Sequence, residues 1–232
     1  MANSVDDLSL LMETALAQRP WEYDASAVGT PWRTLDDDKA LTIGVLPEDP
    51  EYPLQPPVRR ALGEAVLALV AAGHDVFRLP SDPSRDAGLG SKLGFLFFSM
   101  NSSGLDALEN EIGEPLVTSV KRNTNPFTDS KPSKPPVSPE LDKAHQLGEF
   151  LGLRASYANS WRKIWREHDL DVVVGPGAIS TAVPHDTYGV PVYTLMWNVL
   201  DYPAGVIPYG IASMAKDPQY QKATTPFDAD CE

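Results

Sequence analysis

The chain has 232 residues, 42% of them hydrophobic and 22% charged, proportions that predict one soluble α/β domain over 1–232 and exclude disorder. Its formal charge of −13 argues against nucleic acid and anionic membranes as partners, since both are bound mainly through Lys and Arg. The lone cysteine, Cys231, permits no internal disulfide and no cysteine metal cluster, and fits a reducing, cytoplasmic setting.

The start, "MANSVDDL", has no basic or apolar leader, and no run approaches the length of a membrane span. Ser4 is placed to cap a helix carrying Asp6 and Asp7 in its first turn, with Leu8, Leu11, Met12 and Ala15 on one face and Pro20 at its end. "WEYDASAVGTPWRTLDDDK" has bulky aromatics without a period, as in a loop packed over another surface. "LTIGVLPED" reads as a strand. Pro57 then opens an amphipathic helix that Gly73 closes, with Val58, Leu62, Val66, Leu69 and Val70 on one side, and "HDVFRLP" reads as a second strand. Residues 41–79 are therefore predicted to be a βαβ unit with parallel strands and a right-handed crossover.

Residues 86–119 read as helical in pieces, with "FLFF" at 95–98 too apolar for water. "NTNPFTDSKPSKPPVSP" at 123–139 has the composition of an exposed linker. A long helix is predicted from about 139 to 167, followed by "LDVVVGPG" as a buried strand, a loop through "ISTAVPHDTYGVPV", a short helix near 193–200 and the strand "AGVIPYG".

The sequence holds no Gly-x-x-x-x-Gly-Lys phosphate loop, no Gly-x-Ser-x-Gly elbow and no His-Glu-x-x-His pair, and "GLGSKLG" at 88–94 has the wrong spacing for a dinucleotide. No metal or cofactor is expected. His74 and His168 fall near helix ends, where they complement the dipole. His185 adjoins Asp186 in the loop leaving a strand, where open α/β folds place ligands, and is a candidate acid or base. The aromatic, nearly uncharged stretch "VYTLMWNVLDYPAG" at 192–205, which includes Met196, has the make-up of a wall around a small, largely apolar organic molecule.

The blocks "LTIGVLPEDPEYPLQPPVRRALGEAVLALVAAGHDVFRLP", "DLDVVVGPG" and "PHDTYGVPVYTLMWNVLDYPAGVIPYG" resemble the amidase signature family, nearest its acetamidase-type branch, in the family's order and spacing. The resemblance implies a mixed sheet flanked by helices. It also implies that Tyr188, Trp197, Asn198, Asp201, Tyr202, Pro203 and Tyr209 lie on the substrate side of the cleft; in a non-hydrolytic reaction there, Asp201, His185 and Tyr188 are the candidate acid or base groups. Members of that family hydrolyse small amides with two serines and a lysine in a Gly/Ser-rich segment that these blocks do not contain; "NSSGL" at 101–105 copies the letters of the serine pair without their context. The resemblance thus covers a carboxyl-terminal half. Three functions follow as expectations: a non-hydrolytic enzyme of cyclase or isomerase type, an inactive remnant that binds, and one half of a two-chain amidohydrolase. Surfaces left bare by the missing half imply a homodimer.

Overall fold

The computed structural model describes residues 2–33, 39–100, 111, 113, 137, 141–183 and 190–217. The expected linker at 123–139, apart from Val137, and the "NSSGL" stretch lie outside them. The chain divides into two compact units, Met1–Lys39 and Ala40–Glu232.

The first unit is built on helix α1, Val5–Ala17. Its start is the predicted one: the Ser4 hydroxyl accepts a hydrogen bond from the Asp7 amide at 3.1 Å, and Asp6 and Asp7 occupy the first turn. None of its residues is buried, so the apolar face of Leu8, Leu11 and Met12 is uncovered. A 3₁₀ turn at Pro20–Glu22 follows Arg19, whose φ of 53° is left-handed, and Trp21 packs over Gly29.

The second unit centres on three parallel strands in the order β2-β1-β3, with β1 Thr42–Val45, β2 Asp75–Arg78 and β3 Val172–Val174. β1 and β2 pair in register from Thr42 opposite Asp75 to Val45 opposite Arg78, and β3 joins the other side of β1 through Ile43 opposite Val172. Helix α2, Pro56–Ala71, connects β1 to β2, which makes the predicted βαβ unit. Its two prolines occupy the first turn, where no amide donor is needed, and Gly73, at φ 91°, supplies the left-handed step out of it.

The predicted apolar face of α2 is covered only in part. Val58 and Leu62 pack on the core, whereas Val70 is half-exposed. Strand β3, read from sequence as buried, is an edge, and Val172 is 39% exposed. "AGVIPYG" forms no strand: residues 202–213 have no regular structure, and among the described residues no neighbouring strand offers its backbone a ladder.

Helices α3, Ala87–Ser99, α4, Lys143–Glu167, and α5, Val192–Leu200, complete the unit. Helix α4 starts later than the sequence suggested, at an Asp142 cap whose carboxylate accepts from the Ala144 and His145 amides at 3.0 Å. The three helices meet closely because "GLGSKLG" lies inside α3. A methyl group on Gly90 would lie 2.5 Å from the Tyr157 hydroxyl and 2.7 Å from Met196 Cβ, and one on Gly94 would lie 2.7 Å from Leu195. These glycines let α5 and α4 approach the α3 backbone. "FLFF" divides, with Phe95 buried and Phe98 60% exposed.

Gly148 and Gly152 differ from these, since added methyl groups would meet nothing within 4 Å on the exposed side of α4. Each Gly→Ala change is expected to stabilise the protein by about 0.5–1 kcal/mol through helix propensity and reduced unfolded-state entropy, read as a raised urea midpoint at constant m-value.

Candidate functional site

In open α/β folds ligands bind outside the carboxyl ends of the strands. Here that end is formed by the segment 46–55 after β1, the segment 175–183 after β3, and the amino-terminal turns of α3 and α5. The Leu46 amide extends the ladder by donating to Val174 O at 2.8 Å, and the Gln55 amide donates to Ile179 O at 2.9 Å, so the two exit segments are joined twice.

Asp49, 5% exposed, organises this region. One carboxylate oxygen accepts from the Gly88 amide in the first turn of α3 at 2.7 Å and the other from the Glu51 amide at 2.9 Å. A buried carboxylate is tolerated there because amides and the positive end of a helix replace its water. The Asp49 amide donates to the Tyr193 hydroxyl at 2.9 Å, which itself donates to Tyr52 O at 2.8 Å. One phenol on α5 therefore closes two backbone groups of the β1 exit. Beside it Glu48 accepts from the Leu54 amide at 2.8 Å and pairs with Arg59 at 2.5 Å; burial works to raise its pKa, but the hydrogen bonds from Arg59 and Leu54 outweigh it and hold the carboxyl below its ordinary range.

Burial disfavours the phenolate and so raises the pKa of Tyr193 and Tyr157, and pushes that of Tyr52 from 10.0 to about 12, with the Glu51 and Asp49 charges adding to the effect. A group whose folded pKa lies above its unfolded value stabilises fully below the unfolded value and loses that stability as pH rises through the folded one. Thermal stability is therefore expected to be retained below pH 10.0 and to fall as pH rises towards about 12, measured as melting temperature against pH. Tyr193→Phe leaves the buried Asp49 amide and Tyr52 carbonyl without their shared partner, an expected loss of about 1–3 kcal/mol in denaturant unfolding.

The residues singled out in the sequence fall in three places. His185 and Tyr188 lie outside the described residues. Trp197 and Tyr202 come together, but inside the packing between α5 and α4, while Met196 lies against Gly90 of α3. Met196 is fully buried, Trp197 meets Trp161 edge-on at 5.3 Å and stacks on Tyr202 at 6.2 Å and 20°, and Tyr202 meets Trp165 at 5.8 Å. Asn198, Asp201, Pro203 and Tyr209 lie at the surface.

Asp201 ends α5 in the left-handed region at φ 56°, its amide donating to Asn198 O. Its side chain is 80% exposed and pairs with Arg154 of α4, whose Nε also donates to Val199 O at 2.6 Å. That geometry makes Asp201 a helix terminator tied to the preceding helix, α4.

Sequence reasoning did not find Asp49 and Tyr193. The available signal was an acidic residue in a proline-bounded turn directly after a strand, together with a tyrosine in the first turn of an otherwise apolar helix. A separate polar cleft of about 510 Å³ lies beyond β2, lined by Arg85, Ser84, Ser160, Lys163, Glu167 and His168 among others. Its groups are engaged with one another: Arg85 pairs with Asp82 at 2.6 Å, Lys163 with Glu167 at 3.7 Å, and the Ser84 and Ser160 hydroxyls meet at 2.6 Å. His168 lies against Phe77 at the end of α4, and the His74 Nδ1 accepts from the Leu41 amide. Among the described residues no cluster of His, Cys, Asp and Glu is placed to hold a metal, and no helix is long and apolar enough to cross a membrane.

The chain is similar to known proteins over most of its length. Residues 1–225 match the family model described as Amidase. An amidase of Gibberella moniliformis is 33% identical over 94% of this chain and 39% of its own length, and an acetamidase of Aspergillus oryzae is 26% identical over 94% and 40%. Fatty-acid amide hydrolase 1 of Sus scrofa is 28% identical over 90% of this chain. A solved structure of a fatty acid amide hydrolase superposes with a TM-score of 0.70 at 25% identity, over 87% of this chain and 34% of that one. The chain thus spans about two-fifths of the length of the curated relatives it matches. By the match of nearly its whole length, and by the α/β arrangement of a small parallel sheet flanked by helices, this chain belongs to the amidase family.

Proposed function

We propose that residues 1–232 form part of an amide-hydrolysing enzyme, converting an amide and water into a carboxylic acid and an amine, and that they supply scaffold and cleft while the attacking serine comes from polypeptide outside them. The observation that carries this reading is the family match over 1–225 by a chain that corresponds to only 39% of its 33%-identical relative. The chemistry is that of a family in which nucleophile and base act as a unit. The region best fitted to support such a unit is the carboxyl end of the sheet, held rigid by Asp49, Tyr193 and the Gln55–Ile179 bond.

The alternative of an apolar pocket recruited for cyclisation or isomerisation has less support, because two of its intended lining residues, Trp197 and Tyr202, pack against Trp161 and Trp165. The test is a chimera in which residues 1–232 replace the matching part of the Gibberella moniliformis amidase. Release of ammonia from acetamide and from a primary long-chain fatty amide is then measured beside the isolated chain. A folded chimera is expected to hydrolyse at least one of them many-fold faster than the isolated chain; a folded chimera no faster than that chain overturns the reading.

A further inference from the structure

Edge strand β2 has an exit of its own. The chain leaves its carboxyl end through residues 79–86, and the last two turns of α4 lie opposite. Between them opens the cleft of about 510 Å³, within the range of roughly 300–1,000 Å³ that encloses a small organic molecule. None of its lining residues belongs to the hydrogen-bond network of Asp49 and Tyr193.

The charges of this cleft are arranged wall by wall. The loop wall pairs Asp82 with Arg85, and the helix wall pairs Lys163 with Glu167. The partners stand three and four residues apart, so neither pair ties one wall to the other, whereas the Ser84 and Ser160 hydroxyls meet across the cleft. Arg85 is fixed in place: its side chain is 11% exposed, with Nη1 donating to Asp82 and Nη2 to Pro80 O. Its Nε–H and one N–H on each Nη are uncommitted among the described residues. On the helix wall the Lys163–Glu167 separation of 3.7 Å is beyond hydrogen-bond length and both side chains are exposed, so this pair contributes little to the fold and turns to a ligand at small cost.

A purely anionic ligand would meet Asp82 and Glu167 as well as Arg85 and Lys163, and a purely cationic one the reverse. An apolar ligand would strip water from four charged groups and replace it with nothing. A compact molecule with one carboxylate and one ammonium can set each charge against its opposite. Its carboxylate suits a guanidinium, which binds it through parallel N–H bonds, and its ammonium suits the carboxyl end of α4, where the helix dipole favours positive charge near Glu167.

We propose that this cleft is a binding site for a free α-amino acid, with its carboxylate on Arg85 and Lys163, its ammonium on Asp82 and Glu167, and the Ser84 and Ser160 hydroxyls reaching its polar atoms. The site does not depend on the proposed amide hydrolysis, and its test needs only this chain.

The isotope-labelled chain is titrated with L-alanine at neutral pH and, at the same ionic strength, with propionate, ethylamine, inorganic phosphate and glycerol, while backbone amide chemical shifts are followed. L-alanine is expected to shift the Ser84, Arg85 and Lys163 amides saturably with a Kd on the order of 1 mM, and propionate and ethylamine to bind at least tenfold more weakly. Lys163→Ala and Glu167→Ala change exposed side chains and spare the fold; each should weaken L-alanine at least fivefold. Arg85→Lys keeps the charge but loses the paired donors, and should weaken it at least tenfold. No saturable shift by L-alanine up to about 50 mM overturns the proposal. Propionate, ethylamine or phosphate binding as tightly as L-alanine overturns it in favour of a site for a single charge, and glycerol doing so overturns it in favour of a polyol site. Unchanged L-alanine affinity in either Lys163→Ala or Glu167→Ala also overturns it.

Discussion

Gly90→Ala is expected to lower the melting temperature by roughly 6–12 °C, the equivalent of about 3 kcal/mol of overpacking in a chain of this size. The new methyl group would lie 2.5 Å from the Tyr157 hydroxyl and 2.7 Å from Met196 Cβ. Neither neighbour can yield easily. Met196 Cβ is one bond from the α5 backbone, and the Tyr157 hydroxyl donates to Asp86 O at 3.1 Å, which holds the ring in place. Gly94→Ala meets only the δ and γ carbons of Leu195, whose side chain can turn, so a smaller loss is expected. Circular dichroism melts of the two variants beside Gly148→Ala, which should move the other way, separate packing from helix propensity. An unchanged melt for Gly90→Ala would mean that α3 and α5 are further apart than described.

Trp161→Ala is expected to cost about 4 kcal/mol, or on the order of 10 °C in melting temperature, because it empties the largest fully buried side chain. It also removes the ring that Trp197 meets edge-on. Trp197→Ala should then cost less when made in the Trp161→Ala background than alone, since contacting residues do not contribute additively. This cycle decides between the two roles of the aromatic stretch. A Trp197→Ala protein of unaltered stability would return Trp197 to the role of cavity wall.

Much of the framework was legible in the sequence because its signals are local. Pro57 and Gly73 bracket α2, Ser4 caps α1, and β-branched runs flank the βαβ unit. Contacts between distant segments were not. "GLGSKLG" has the wrong spacing for a dinucleotide loop, yet nothing local states that Gly90 and Gly94 face α4 and α5. "VYTLMWNVLDYPAG" suggests a ligand wall because aromatic composition is the same in a cavity lining and a helix interface; the Trp161 and Trp165 rings that Trp197 and Tyr202 meet lie on another helix, 36 and 37 residues earlier. Asp201 is a candidate through its carboxylate and its place in a stretch that resembles the family's cleft, while its left-handed φ and its pairing with Arg154 belong to helix termination. "AGVIPYG" reads as a strand for sound reasons of propensity, but a strand exists only with a neighbour.

Arg60 gives the far end of the fold an unexpected robustness. Its guanidinium reaches Ile211 O at 2.8 Å and Asp217 at 2.5 Å, the two side chains being 19% and 8% exposed, and Asp217 in turn accepts from the Ser213 amide at 2.7 Å. A protease that cut the exposed stretch between Gly205 and Tyr209 would sever the covalent chain upstream of this clasp. The nicked protein would therefore show two bands under denaturing conditions and still elute as one species under native ones.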